Sequence, residues 1–164
     1  MIVVLMGVCG CGKTAVGRPL AQELGWAFVD ADDLHPRANV EKMASGVPLT
    51  DEDRWPWYER IVAELQRLTR SGKHVVLACS ALKQAYRERL ARAGDLRIVY
   101  MKGDAVTIEP RIASRRGHFM PASLLASQFA TLEEPSDAIV VDVAQPIVAQ
   151  VAAIARALRE ELPA

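Results

Sequence analysis

The chain has 164 residues, 51% of them hydrophobic, enough for one domain with a sizeable buried core. Its 20 basic and 20 acidic residues leave a formal net charge of +0, so no global field draws it to nucleic acid or an anionic membrane, and any anion site must be a local cluster. Three cysteines, Cys9, Cys11 and Cys79, argue against a disulfide-stapled secreted domain; without a signal-peptide pattern or an apolar run near about 20 residues, a reduced, cytoplasmic setting with no membrane span is expected.

In chain order, apolar β-rich runs alternate with helical patterns. Strands are predicted over 2–6, 27–29, 75–79, 98–101 and 139–143. The first and third are nearly continuous apolar runs, as parallel strands covered on both faces require. The first helix is predicted over 14–24 with Gly25 as its stop, and a short helix over 36–45 is stopped by Gly46. Thr50-Asp51-Glu52-Asp53 resembles a capping box ahead of a long helix. Trp57, Ile61, Leu65 and Leu68 recur along it at helical spacing, and Gly72 ends it. Helices over 83–93, 106–116 and 146–162 complete the set. Pro19 and Pro110 fall inside two of these helices, where a proline removes a hydrogen bond and can kink the chain. Strands alternating with helices, without repeat or linker, predict an α/β fold: one domain over 1–164, its five-stranded parallel sheet flanked by helices joined by right-handed crossovers.

The strongest motif is Gly7-Val8-Cys9-Gly10-Cys11-Gly12-Lys13-Thr14, which fits G-x-x-x-x-G-K-[ST] at every fixed position, between a strand and a helix. The glycines let the backbone wrap a phosphate. Successive N–H groups and the helix N-terminus then face its charge. Lys13 is expected at the β- and γ-phosphates, with the Thr14 hydroxyl on Mg²⁺. GTPases and motor ATPases share this loop, but the chain has no N-K-x-D element and is small for a motor. The second strand ends in Asp30-Ala31-Asp32-Asp33-Leu34-His35-Pro36, at the sheet edge where open α/β sheets bind ligands. Two carboxylates there can divide the work. Asp30 is assigned to the metal, directly or through water, and Asp32 to the proton of an attacking hydroxyl. For Asp33 a helix-start role carries more weight.

With these residues in view, the chain resembles the gluconokinase family, within the shikimate-kinase-like and nucleoside-monophosphate-kinase-like group of P-loop kinases. Beyond the phosphate loop, the resemblance is carried by Asp32 to Pro36, by Pro48-Leu49-Thr50-Asp51-Glu52-Asp53-Arg54-Trp55-Pro56-Trp57 and by Ala78-Cys79-Ser80-Ala81-Leu82-Lys83. Tyr86-Arg87, Arg116-Gly117-His118-Phe119-Met120-Pro121 and Ser127-Gln128-Phe129-Ala130-Thr131-Leu132-Glu133 complete it. Cys9 and Cys11 stand where the family usually has serine, each placing an oxidisable thiol near ATP.

The resemblance implies ATP-dependent phosphorylation of D-gluconate to 6-phospho-D-gluconate with Mg²⁺, a mobile lid over about 111–131, and a homodimer as a form the family takes. Arg111 would pack on adenine beside the 143–146 turn. Arg115, on the same helix face, would meet charge growing on the transferred phosphoryl group; for Arg116 a solvated helix face is a fair rival. Gluconate needs a cation for its carboxylate and many polar partners for its hydroxyls. Arg54, Lys83 and Arg87 are the cationic candidates; Ser80, His35, His118 and Gln128 are the hydroxyl partners, with Asp32 at the reacting one. Trp55, Trp57 and Tyr58 read as structural, and Cys79 as an inert buried thiol. The rivals are a related kinase for another polyhydroxy acid or shikimate, and a nucleotide-binding switch without a small-molecule substrate. Shikimate kinases carry a glycine-rich segment where this chain reads Cys79-Ser80-Ala81-Leu82.

Overall fold

The computed structural model describes residues 1–114 and 125–161. Five parallel strands, β1 (Ile2–Met6), β2 (Ala27–Asp30), β3 (Val75–Ala78), β4 (Leu96–Lys102) and β5 (Ile139–Asp142), form one sheet in the order β2-β3-β1-β4-β5. β1 is central, and all five of its residues are fully buried. A strand with no exposed face has no use for polar alternation, which is why its sequence is an unbroken apolar run.

The sheet separates two cores. On one face α1 (Lys13–Leu24) and α7 (Ile147–Glu161) pack on Val3, Leu5, Val99 and Val141. On the other, α3 (Asp51–Arg70) and α4 (Gln84–Ala91) cover Ile2, Val4, Leu77 and Ile98. Burying each such side chain is worth about 1.5–3 kcal/mol before the entropy of ordering it is subtracted. The register sets Leu5 beside Ala78 and Ala78 beside Asp30. The ends of three strands are therefore level, and the loops leaving them meet at one edge.

α2 (Arg37–Ala44), α5 (Ala105–Ala113) and α6 (Leu125–Thr131) lie around that edge. A 3-10 turn over Ala31–Leu34 follows β2, its start capped by Asp30, which accepts from the Asp32 N–H. The predicted capping box is present: Thr50 accepts from the Asp53 N–H and Asp53 accepts from the Thr50 N–H. α5 stops at Ala113 with Ser114 as its cap, short of the expected 116. α1 and α5 run through Pro19 and Pro110, and α3 through Pro56. In each case the proline and the residue four earlier are exposed, so water can serve the carbonyl that loses its partner. Among the described residues, no helix is long and apolar enough to cross a membrane.

Candidate active site

The phosphate loop turns on left-handed glycines. Gly10 and Gly12 have φ of 79° and 99°, a region that L side chains rarely occupy. At Gly10 an added Cβ would also lie 2.5 Å from Ile112 Cγ1, so α5 packs directly onto the loop. Lys13 folds back over the loop, and its Nζ donates to the carbonyls of Gly7 and Val8 at 2.9 Å each. The side chain is half-buried. Burial favours losing the proton, but Cys11, Cys9 and Asp32 outweigh it and hold the pKa above its ordinary value. Cys11 is fully buried and Cys9 nearly so.

The two carboxylates expected after β2 stand apart in their partners. The Thr14 hydroxyl donates to Asp30 Oδ2 at 2.7 Å, which joins the loop threonine to the residue assigned to the metal. Asp32 lines a different space, a pocket with His35, Arg54, Ser80, Tyr86 and Gln128 among its walls. The pocket is narrow and open at its mouth.

His35 is held by geometry that spacing could not reveal. Its ring stacks on Trp57 with centroids 3.9 Å apart and planes within 16°. Trp57 is anchored in turn through Nε1, which donates to the Ala31 carbonyl at 2.7 Å. Burial, then the charge of Arg54, push the His35 pKa down to about 4. The imidazole is therefore neutral at physiological pH and offers one donor and one acceptor. Asn39, 5% exposed, donates to the Asp53 carbonyl at 2.9 Å and ties α2 to α3 behind this wall.

The three cations expected to share the acid substrate differ in their partners, although Arg54 and Lys83 both lie beside Asp51 and Tyr86. Arg54 lines the pocket, with Nη1 donating to the Leu49 carbonyl at 2.6 Å and the Tyr86 hydroxyl at 3.2 Å. Lys83 pairs with Asp51, its Nζ 3.2 Å from both oxygens, and Tyr86 donates to the same carboxylate. Tyr86, then Lys83 and Arg54, hold the Asp51 carboxyl below its ordinary range. Arg87 donates to the carbonyls of Ala81 and Leu82 at 3.0 Å each. It holds the turn that presents Ser80, where Ala81 has a positive φ of 43°. Neither Lys83 nor Arg87 lines the pocket. Gln128, on α6, does, and its Oε1 accepts from the Cys9 N–H at 2.6 Å. The phosphate loop and the Asp32 pocket thus share a wall. Sequence reasoning gave no site role to Asn39, Asp51, Trp57, Tyr86 or Gln150, although Trp57 begins the apolar spacing of α3 and Asp51 and Tyr86 stand in stretches that carry the family resemblance.

A second cavity of about 410 Å³ opens between the glycine loop and the turn before α7, lined by Gly10, Gly12, Arg111, Pro146 and Gln150 among others. Arg111 Nη2 donates to the Val143 carbonyl at 2.8 Å, bringing the expected adenine-side arginine and turn together. Arg115, Arg116 and His118 lie outside the described residues, as does the middle of the expected lid.

The family described as AAA domain matches residues 2–135. The chain is 44% identical to the thermoresistant gluconokinase of Escherichia coli (strain K12) over 164 residues, covering 97% of this chain and 94% of that protein. It is 53% identical to the gluconokinase of Gluconobacter oxydans (strain 621H) over 137 residues, 82% of this chain and 76% of that protein. The crystal structure of a gluconokinase from Sinorhizobium meliloti 1021 superposes with a TM-score of 0.81 at 41% identity, covering 98% of this chain and 97% of that one.

Proposed function

The chain belongs to the gluconokinase family of P-loop kinases, and from that premise we propose that it transfers the γ-phosphoryl group of ATP to the terminal hydroxyl of D-gluconate, giving 6-phospho-D-gluconate. The observation that carries the reading is the wall shared through Gln128, whose Oε1 takes the Cys9 N–H at 2.6 Å while its side chain lines the Asp32 pocket. An acceptor hydroxyl beside Asp32 is thereby a neighbour of the phosphate loop, and positioning supplies much of the catalysis in phosphoryl transfer.

The proposed roles follow from this geometry. The loop N–H groups and Lys13 hold the phosphates, and Arg111 packs on the base. Arg54 meets the carboxylate of gluconate, since it is the cation among the described residues lining the pocket. Neutral His35, Ser80 and Gln128 serve hydroxyls, and Asp32 accepts the proton of the attacking one late in transfer. Arg115 is assigned to charge on the transferred group and His118 to a substrate hydroxyl. Lys83 and Arg87, held by Asp51 and by loop carbonyls, support the pocket from behind.

Thr14 and Asp30 suit magnesium. Both offer hard oxygen donors already 2.7 Å apart. No group of three or more His, Cys, Asp or Glu that could hold a metal stands among the described residues. A small ion that completes its shell with phosphate oxygens and water needs no such cage. Bound there, it would offset the phosphate charge. A cytoplasmic setting and a homodimer belong to the same reading.

The test is MgATP turnover with gluconate, with shikimate and with no acid added, the product identified by mass. Formation of 6-phosphogluconate with gluconate alone is expected. Equal ATP turnover without any acid, or preference for shikimate, overturns the reading.

A further inference from the structure

Arg54 lines the acid pocket with its side chain 21% exposed. Its Nη1 is committed to two acceptors, the Leu49 carbonyl at 2.6 Å and the Tyr86 hydroxyl at 3.2 Å. That leaves Nε and Nη2, a fork that can grip a carboxylate with two parallel hydrogen bonds. Neither atom makes a hydrogen bond among the described residues, and neither is sealed from solvent. The direction of the Tyr86 contacts is settled by its partners. A guanidinium only donates and an ionised carboxylate only accepts. The Tyr86 proton therefore goes to Asp51, and an oxygen lone pair faces Arg54. Asp51 also stands 3.9 Å from Nη1. Lys83, 3.2 Å from both Asp51 oxygens, offsets that negative charge, so the cluster stays net positive beside an anionic substrate.

We infer that Asp51 and Tyr86 are positioning residues for the acid substrate: Asp51 orients the Tyr86 hydroxyl, and Tyr86 holds Arg54 so that Nε and Nη2 take both carboxylate oxygens. The inference rests on the assignment of Arg54 to the gluconate carboxylate and adds what sets the guanidinium. A neutral polyol of the same length leaves the fork unpaired, so the preference for the acid measures how well the fork is set.

The test compares kcat/KM for D-gluconate with that for D-glucitol, which has a hydroxymethyl group in place of the carboxylate. Where glucitol is not turned over, its inhibition constant against gluconate serves instead. The proteins are the wild type, Arg54→Ala, Tyr86→Phe, Asp51→Ala and the Asp51→Ala, Tyr86→Phe double variant, with melting temperature as the control for folding. The wild type should prefer gluconate, and Arg54→Ala should lose most of that preference. Tyr86→Phe and Asp51→Ala should each lower it roughly five- to tenfold, through the KM for gluconate rather than kcat. The double variant should fall within about twofold of the weaker single variant, because both residues act through one chain of contacts. Substitutions that merely loosened the pocket would weaken both compounds together and leave the preference unmoved, a result that overturns the inference. Additive losses in the double variant overturn it too. If Asp51→Ala does not fold, Tyr86→Phe alone decides. A preference lost in Arg54→Ala but kept in Tyr86→Phe sinks the inference and spares the substrate reading. Failure of the wild type to phosphorylate gluconate sinks both.

Discussion

Lys13 shows how one side chain can serve two states. With its Nζ on the Gly7 and Val8 carbonyls, it braces the loop as well as standing where phosphate charge is expected. Lys13→Ala should therefore cost about 1 kcal/mol of stability as well as about 10²–10³ in kcat, read by urea unfolding and steady-state kinetics; turnover near wild type would remove it from the chemistry. Asp32→Asn should lower kcat by about 10²–10⁴ with ATP affinity nearly intact, whereas Asp30→Asn should raise the Mg²⁺ requirement. Rescue of the first variant but not the second by excess Mg²⁺ would exchange the two roles. His35 makes a different prediction. Unfolded, it takes up a proton near 6.5; folded, burial and Arg54 delay that to about 4. Between those values the unfolded state binds more protons, so stability falls as pH drops through the window, by at most about 3 kcal/mol. Unfolding curves from pH 7 to 4 should slope less for His35→Gln, and identical slopes would refute the depressed pKa. Spacing and motif placed the loop, Asp30 and Asp32 at the sheet edge where the structure has them, because strand ends and a strand–loop–helix motif are local features. The partners of Lys83 and Arg87, Asp51 and the Ala81 and Leu82 carbonyls, come from tertiary placement that i, i+4 spacing does not encode.

The elements themselves were readable because each carries its own punctuation. Gly25 stops α1 in the left-handed conformation at φ 68°, and Gly46 and Gly72 follow α2 and α3 with φ of 81° and 79°. α6 escaped the reading: Leu125, Phe129 and Leu132 have helical spacing, but seven residues make a weak periodic signal. It is also the helix that delivers Gln128. The capping box joins two elements as well as starting one. Asp53 closes it, takes the Lys42 ammonium from α2 at 2.6 Å, and lends its carbonyl to Asn39. Thr50→Ala should lose about 1 kcal/mol, a fall of roughly 2–4 °C in Tm for a chain of this size. Because α2 and the start of α3 wall the acid pocket, the KM for gluconate should rise more than that for ATP. An equal rise in both would detach the cap from the pocket.

At the scale of the whole molecule, the two proposed ligand sites share a single sheet edge, and α6 lines the acid pocket while holding the phosphate loop at Cys9. Gln128 receives the Cys9 N–H and lines the Asp32 pocket, while the segment after α6 returns to the opposite side of the site, the Glu133 N–H reaching the Leu82 carbonyl at 2.9 Å and its carboxylate accepting from the Gln84 N–H at 2.7 Å. A ligand that orders this strap from one cavity also orders the wall of the other, so the second ligand meets a site whose ordering cost has already been met. Gluconate and a non-hydrolysable ATP analogue should therefore bind synergistically, each tightening the other by roughly five- to tenfold or more. Reciprocity requires the same factor in both directions, which titration of either ligand in the presence of the other measures. Gln128→Leu removes the link between cavities while leaving Lys13, Thr14 and Asp30 in place. It should bring the factor close to one and weaken gluconate on its own account, with nucleotide affinity measured alone changing least. Synergy undiminished in Gln128→Leu would place the coupling elsewhere, and strictly independent binding in the wild type would mean that the shared wall transmits nothing.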